Sequence, residues 1–184
     1  FEAVAMGLGG NNYYKNCYVD LKESCLRSET TVKVFDQMRK LQSYTDEGSP
    51  GRDWNVATGM VIEGKAGFQI MGDWAKGEFT AAGKTPGVDY YCAATPSNNG
   101  YLYNVDSFIF YKSSDPDKQA GQKLLAKLMM GKNFQKVFNL YKGSIPARLD
   151  VSMDEFDKCA KTSNADIKTA GAKGGLVPSF AHGM

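Results

Sequence analysis

Residues 51–79, GRDWNVATGMVIEGKAGFQIMGDWAKGEF, carry the pattern that decides the fold class of this sequence. Asp53 is a favourable N-cap for a helix that a later glycine ends. The apolar run Ala66–Met71, bounded by glycines, is typical of a short buried strand. Asp73 then caps a second helix, Trp74–Ala82. The order of helix, strand and helix with tight turns predicts an α/β lobe, with a small β-sheet surrounded by helices.

The sequence on either side of this stretch predicts further helices, two strands and an irregular tail. Local start signals and apolar spacing indicate helices over 20–27, after Ser28, after Asp115-Pro116, over 134–141 and after the capping box at 152–155. Strands rich in Tyr, Val, Ile and Phe are expected at Val88–Thr95 and Tyr101–Tyr111. The tail from Asn164 to Met184 is rich in Gly and Ala and is predicted to be irregular. Within the helix that follows Pro116, an apolar stripe is expected to be buried (Leu124, Leu128 and Met129).

Composition excludes several classes of function. The chain has 184 residues, of which 42% are hydrophobic and 23% charged, and its formal net charge is +2. A net charge so near zero predicts no strong field toward nucleic acid or an anionic membrane. No apolar run approaches the roughly 18 residues of a membrane span. The first residues, beginning with Phe1, contain no signal-peptide pattern and are apolar from the start, so we expect a lobe or fragment of a larger protein.

No catalytic, metal or cofactor constellation is apparent in the sequence. Gly7–Gly10 lacks the residues that complete a phosphate-binding loop, so a plain turn is expected there. No Gly-x-Ser-x-Gly elbow is present, and the chain has one histidine. Glu63, Asp73 and Glu78 are the candidates for the paired carboxylates of glycoside hydrolysis, but a solvated helix face and a cap are the favoured interpretation of these residues. We therefore expect no catalytic residues, no metal and no cofactor.

The four cysteines are even in number but leave the redox state open. Cys17, Cys25, Cys92 and Cys159 contain no Cys-x-x-Cys pair, and a zinc site is not expected with one histidine available. Two interpretations remain: disulfides in an oxidised, secreted or periplasmic protein, and four buried free thiols. Cys17 and Cys25 are close enough in sequence to close a small loop, and they could equally stay reduced.

The two tryptophans are the most suggestive single residues. Trp54 and Trp74 each stand at the start of a predicted helix, and Trp74 directly follows the predicted strand. Side chains at a strand-to-helix junction lie at the rim of an α/β sheet, where ligands bind. An indole face also matches the apolar C–H face of a sugar ring. The alternative is that both indoles fill the hydrophobic core.

Several segments together resemble the glucose/mannose-binding proteins of bacterial ABC importers, within the wider family 1 of extracellular solute-binding proteins. The resemblance is carried by the segments GRDWN-x-AT-x-MVIEGKAG (51–67), IMGDWAKGEF (70–79), YNVDSF (103–108), GSIPAR (143–148) and LVPS-x-AHGM (176–184). They keep the family's order over essentially the whole chain, which makes the resemblance far more specific than any one motif.

The resemblance implies a periplasmic, two-lobed protein that closes on a monosaccharide and delivers it to an ABC permease. Residues 1–184 are then a single C-terminal sugar-binding lobe, and the N-terminal lobe and the last family helix lie outside this chain. A signal peptide for secretion is likewise expected outside it. The exposed cleft face is expected to contact the missing N-terminal lobe or to drive self-association.

The resemblance also implies five sugar-binding residues on this lobe. Trp54 and Trp74 resemble the indoles that flank the sugar ring, and Asp106 resembles the carboxylate that accepts from its hydroxyls. Lys142 resembles a hydroxyl-binding lysine, although a cation at a helix C-terminus is common for structural reasons. His182 resembles a histidine that reaches the cleft from the final loop, or it occupies the end of the chain without a role.

The same resemblance bears on the disulfides and on the alternatives. Similar family members pair the cysteines that correspond to Cys92 and Cys159, so a disulfide is expected there. A glucose-like hexose is the expected ligand, although the sequence does not decide among glucose, mannose and galactose. A free-standing carbohydrate-binding module is the first alternative and a glycosidase the second. The first requires a complete site within this chain, and the second requires two facing carboxylates.

Overall fold

The computed structural model describes residues 1–96 and 100–180. Its helices are α1 Glu2–Tyr14, a π-helical turn Lys15–Val19, α2 Glu23–Leu26, α3 Glu29–Gln42, α4 Trp54–Ile62, a 3-10 turn Asp73–Ala75, α5 Lys76–Ala81, α6 Pro116–Met129, α7 Lys132–Lys142 and α8 Lys158–Ala172. Two short strands, β1 Tyr101–Tyr103 and β2 Leu176–Pro178, complete the described elements. The architecture is mainly helical with a small parallel sheet, which agrees with the predicted α/β class.

The first of two compact units draws its described residues from 1–57, 92–104 and 162–180. Its sheet pairs Tyr101 with Leu176 and Tyr103 with Pro178 in parallel. The helix α1 contacts both strands and α3. The fully or nearly buried residues of its core are Ala5, Met6, Tyr14, Val34 and Val177. This core is what orders the two strands, because a two-stranded sheet is marginal without a packed face.

The second unit draws its described residues from 58–91 and 105–161. Its helix α7 contacts both α5 and α6. A small core of Val151, Phe156 and Ala160 packs against Leu140, Ile145 and Met153. This core lies directly beneath the turn that follows α7, so it supports the segment that carries Lys142.

Three helix ends agree with local signals in the sequence. The Ser28 side chain accepts from the backbone N–H of Thr31, which caps α3. The Asp115 side chain accepts from the backbone N–H groups of residues 117 and 118, and Pro116 occupies the first turn of α6. Gly143 ends α7 with φ +87°, in the left-handed region that favours glycine. Each of these signals acts within one turn of helix, so it needs no tertiary context.

The strand predictions are wrong for most of their length. The predicted strands Ala66–Met71 and Val88–Thr95 are not strands in the structure, and of Tyr101–Tyr111 only Tyr101–Tyr103 pairs. The side chain of Phe68 is 96% exposed. A strand requires main-chain partners, and within the described residues only β1 and β2 form a sheet.

Five further predictions are corrected. Leu124 and Leu128 of α6 are exposed, because no described element covers that stripe. The residues after Ser152 form a turn, and the helix begins at Lys158 instead. The tail after Asn164 is ordered through α8 and β2, because Val177 packs into the core of the first unit.

The other two corrections concern the N-terminal segment. Gly7–Gly10 lies within α1 rather than in a plain turn, and Gly10, with φ 72°, interrupts its helical geometry. The helix predicted over 20–27 spans only Glu23–Leu26, with Lys22 at its N-cap position, so Asp20 does not start it. The Asp20 carboxylate instead forms an ion pair with Lys15 at 2.8 Å. A nearby ammonium thus takes the oxygen that an N-cap would use.

The cysteines are oxidised. Cys17 and Cys25 form a disulfide with their Cα atoms 5.1 Å apart. Cys92 and Cys159 are disulfide-bonded as well, and the described residues contain no free thiol. The interpretation with four buried free thiols is therefore wrong. Separately, none of the helices in the described residues combines the length and apolarity needed to cross a bilayer.

Candidate functional site

Asp106 and Lys142 are the two predicted site residues that the structure brings together. Lys142 is the last residue of α7, and its Nζ donates to Oδ2 of Asp106. The side chain of Asp106 is 62% exposed and that of Lys142 is 28% exposed, so both charged groups can be reached from solvent. A carboxylate accepts hydrogen bonds and an ammonium donates them. The pair therefore offers both functions that a hydroxyl group requires.

Aromatic side chains surround the Lys142 end of this pair. Nζ of Lys142 lies 5.8 Å from the centroid of the Phe138 ring, within reach of a cation–π contact. A depression of about 550 Å³ is lined by Phe134, Val137, Phe138, Tyr141 and Lys142. Tyr141 is largely exposed. Sequence reasoning assigned these aromatic residues to a helix stripe and missed their place beside the site. The only sequence signal was their adjacency to Lys142.

Trp74 lies in the 3-10 turn that leads into α5, and its side chain is half-buried. The indole lies back over Gly72, where an added Cβ would be 2.2 Å from the indole Cζ3 atom. A side chain at position 72 would therefore displace the indole. Gly72 thus fixes where the Trp74 ring can lie.

The prediction that Asp73 caps the following helix is wrong, because neither the 3-10 turn nor α5 has a side-chain cap and the Asp73 carboxylate bonds a different turn. Its Oδ2 accepts from the backbone N–H of Ile145 at 3.2 Å, and its side chain also hydrogen-bonds that of Ser144. Burial raises the pKa of Asp73, opposed by the hydrogen bond from Ser144 and the charges of Lys76 and Lys142. Asp73 therefore connects the turn that carries Trp74 to the turn that follows Lys142. Nothing in the local sequence pattern indicated this long-range contact.

Trp54 begins α4 and its side chain is 40% exposed. The loop before it is fixed by Arg52, whose Nη1 and Nη2 donate to the two carboxylate oxygens of Asp46 at 2.7 and 2.5 Å. This two-point hydrogen bond from the guanidinium lowers the pKa of Asp46 to about 2. Trp54 belongs to the first unit, whereas Trp74, Asp106 and Lys142 belong to the second.

His182 lies outside the described residues. The segment that leads toward it is held by Glu2, whose Oε2 accepts from the Ser179 hydroxyl at 3.0 Å and whose Oε1 accepts from the Phe180 backbone N–H at 2.6 Å. The Tyr14 hydroxyl donates to the same carboxylate at 2.7 Å, and burial of Tyr14 raises the pKa of this hydroxyl. Across residues 1–96 and 100–180, no cluster of His, Cys, Asp and Glu is suited to a metal ion.

Comparisons with known proteins place these features in context. The family model described as bacterial extracellular solute-binding protein matches residues 4–168. A probable sugar-binding periplasmic protein of Brucella suis is 47% identical over the whole chain, which covers 43% of that protein. A protein of the same description from Mesorhizobium japonicum is also 47% identical over the whole chain, with 44% of its own length covered.

A more distant relative has a related description. An uncharacterized ABC transporter extracellular-binding protein of Pyrococcus horikoshii is 32% identical over the whole chain, which covers 40% of that protein. The chain thus spans less than half the length of the curated relatives it matches.

Proposed function

The chain belongs to the bacterial extracellular solute-binding protein family, and we propose that it is the C-terminal, sugar-binding lobe of a two-lobed periplasmic protein that serves an ABC transporter. The family is one of binding proteins, so the chain is assigned a binding role and not an enzymatic one. The observation that carries the proposal is the solvent-accessible ion pair of Asp106 with Lys142, placed beside exposed aromatic rings.

The ion pair suits a polyhydroxylated ligand. A sugar hydroxyl that enters between the two groups donates to Asp106 and accepts from Lys142, so each charge keeps a partner while the direct contact is replaced. Hydrogen bonds to charged groups are stronger than those between neutral groups, on the order of 1.5–3 kcal/mol each. The pair is thus a site that a neutral sugar can enter without leaving a charge unpaired.

The aromatic residues supply the complementary surface for the ring. The indoles of Trp54 and Trp74 are proposed to pack on the C–H faces of the sugar, and Gly72 leaves the space that the Trp74 ring occupies. Aromatic contacts of this kind contribute about 0.5–1.5 kcal/mol beyond the area they bury. His182 is proposed to complete the site from the final segment, which follows the stretch held by Glu2.

The ligand class and the partner follow from the relatives. Relatives whose printed names describe sugar-binding periplasmic proteins support a sugar, and the resemblance set out above supports a glucose-like hexose. An ABC permease is the proposed membrane partner, which the description of the Pyrococcus horikoshii relative supports. Oxidised cysteines support a periplasmic location, because disulfides persist in that compartment.

Exposed apolar segments support a larger protein around this lobe. Phe68 and Ile70 in one extended segment and Phe108, Ile109 and Tyr111 in another are all more than half exposed. Contiguous apolar patches of several hundred Å² usually mark interaction sites. Since the relatives are more than twice as long, we propose that the remainder of the protein covers these segments.

Calorimetry with glucose tests the proposed function. One lobe leaves about half the sugar in water, so residues 1–184 should bind glucose no tighter than roughly millimolar, or about −4 kcal/mol. The full two-lobed protein should bind in the micromolar range or better. In that protein, Trp74→Ala should weaken binding by about 2 kcal/mol. Failure of the full protein to bind any hexose would contradict the proposal, and unchanged affinity of the variant would contradict the assignment of Trp74.

A further inference from the structure

The start of α5 and the end of α7 meet backbone to backbone. A Cβ added at Gly77 would lie 2.9 Å from the carbonyl oxygen of Lys142, and one added at Gly143 would lie 2.5 Å from the backbone nitrogen of Gly77. Both neighbours are main-chain atoms, which cannot rotate away as a side chain can. The two glycines therefore allow the turn after Trp74 to lie against the turn that carries Lys142.

Asp73 adds a directional connection across the same contact. Its carboxylate, one residue before Trp74, accepts from the Ile145 N–H and bonds the Ser144 side chain, three and two residues after Lys142. Burial raises the pKa of Asp73, and the hydrogen bonds from Ser144 and Ile145 oppose that rise. These hydrogen bonds therefore stabilise the carboxylate in its buried position between the two turns.

A second connection holds the start of α5. Lys76 is 6% exposed, and its Nζ lies 2.6 Å from Oδ2 of Asp157. The other carboxylate oxygen of Asp157 accepts from the backbone N–H of Ala160 at 2.8 Å in the first turn of α8. This ion pair does not depend on Asp73. Removal of Asp73 should therefore move Trp74 relative to Lys142 without detaching α5.

We infer that Asp73 is a positioning residue that fixes the Trp74 indole relative to the Lys142–Asp106 pair. The inference rests on the proposed sugar-binding function and deepens it. Asp73 does not touch the sugar in this account. It acts by keeping the ring face and the hydroxyl-binding pair at the spacing that one hexose can bridge.

The test uses Asp73→Asn and Asp73→Ala, with Glu63→Gln as the matched control. Asn keeps one acceptor of the same size, and Ala keeps none. Glu63 is an exposed carboxylate of the same unit that pairs with Lys65, so its variant makes the same change from carboxylate to amide away from the two turns. ¹⁵N-labelled protein reports the Trp74 indole N–H and the Gly143 amide by NMR, with Trp54→Phe used to assign the two indoles. Glucose affinity is measured in the same samples.

We expect both resonances to shift in the Asp73 variants and to stay in place in Glu63→Gln. Glucose affinity should fall by roughly tenfold in Asp73→Asn, the equivalent of about one hydrogen bond, and further in Asp73→Ala. A second readout is pH. The charged groups facing Asp73 are Lys76 and Lys142, and the Trp74 resonance of the unaltered protein should titrate in acid, whereas that of Asp73→Asn should not.

The possible results distinguish the positioning role of Asp73 from the proposed function. Unmoved resonances in both Asp73 variants overturn the positioning role. Shifted resonances with unchanged glucose affinity also overturn it, because the position of the indole would then not matter for binding. Shifted resonances in a protein that binds no glucose even unaltered leave the connection between the two turns in place and overturn the proposed function instead.

Discussion

The Oε1 atom of Glu2 accepts a hydrogen bond from the backbone N–H of Phe180 at 2.6 Å, so the first turn of the chain holds its last described residue. The same carboxylate accepts from the hydroxyls of Tyr14 and Ser179. A single side chain thus satisfies three donors around the end of β2. This arrangement leads to the first prediction.

Glu2→Ala should destabilise the first unit by about 1–2 kcal/mol, because the Ser179 hydroxyl and the Phe180 backbone N–H lose their acceptor, whereas the Tyr14 hydroxyl keeps the Pro178 carbonyl at 3.1 Å. Urea denaturation measures the loss, and hydrogen exchange at the Phe180 amide should accelerate. Glu23→Ala, which removes an exposed carboxylate paired only with Arg27, is the control and should change little. Equal stabilities of the two variants would show that the Glu2 contacts add nothing.

Asp106→Asn should weaken glucose binding by about 1.5–2 kcal/mol in the full-length protein while leaving its thermal stability nearly unchanged. A charged acceptor for hydroxyls is lost, whereas an exposed ion pair contributes at most about 1 kcal/mol to folding. Glu155→Gln breaks the comparably exposed pair with Lys136 in the same unit and serves as the control. Loss of stability without loss of affinity would mark the Asp106–Lys142 pair as structural.

The carboxyl of Asp46 should titrate with a pKa of about 2, well below its ordinary value of 3.8, because Arg52 donates to both its oxygens. A folded-state pKa below the unfolded one stabilises the fold above the unfolded value, and this contribution is lost as pH falls through about 2. Carboxyl ¹³C NMR measures the pKa. In Arg52→Gln the pKa should return toward 3.8; a value near 3.8 in the unaltered protein would contradict the prediction.

Cys92 and Cys159 are predicted to pair with each other. Their disulfide would close a loop of about 68 residues and contribute on the order of 4 kcal/mol by the loss of unfolded-state entropy. Peptide mass mapping without reductant should recover one peptide that links them and another that links Cys17 with Cys25. A linkage of Cys92 to any other cysteine would contradict the pairing.

Residues 1–184 alone should self-associate at high concentration, because Phe68, Ile109 and Tyr111 expose apolar surface that the full-length protein is proposed to cover. Sedimentation equilibrium measures the association. Ile109→Ser should weaken it, whereas Tyr44→Ser, at an exposed ring of the first unit, should not. A chain that stays monomeric at millimolar concentration would contradict the prediction.

The sequence predicted several helix ends that short-range chemistry determines, whereas the capping signals at Ser152 and Asp73 did not cap helices. The caps at Ser28 and Asp115 and the left-handed end at Gly143 follow from interactions within one helical turn, so a single sequence is enough to locate them. Asp106 and Lys142 were each predicted as sugar-binding residues through the family resemblance, but their ion pair was not predicted. No spacing rule brings together two residues that lie on different elements.

The wrong strand prediction and the missed contacts of Asp73 have another cause, which is that both depend on tertiary partners. Ala66–Met71 has the apolarity of a strand but finds no partner strand in the described residues, and strand formation depends on that partner. The contacts of Asp73 with Ser144 and Ile145 and the approach of Gly77 to Gly143 depend on how two helices pack. In the sequence these positions are one aspartate and two glycines, and neither residue type indicates by itself which distant segment it contacts.

The parallel pairing of Tyr101 with Leu176 has a consequence for the order of folding. All of α6, α7 and α8 lie between the two strands, so β1 leaves the ribosome long before its partner does. The first unit cannot complete its sheet and core until residues 176–180 have been synthesised. The core around Val151, Phe156 and Ala160 is complete earlier. Long sequence separation between contacts slows folding. We therefore expect the second unit to acquire structure first during translation, and a nascent chain that ends before β2 to depend on chaperones.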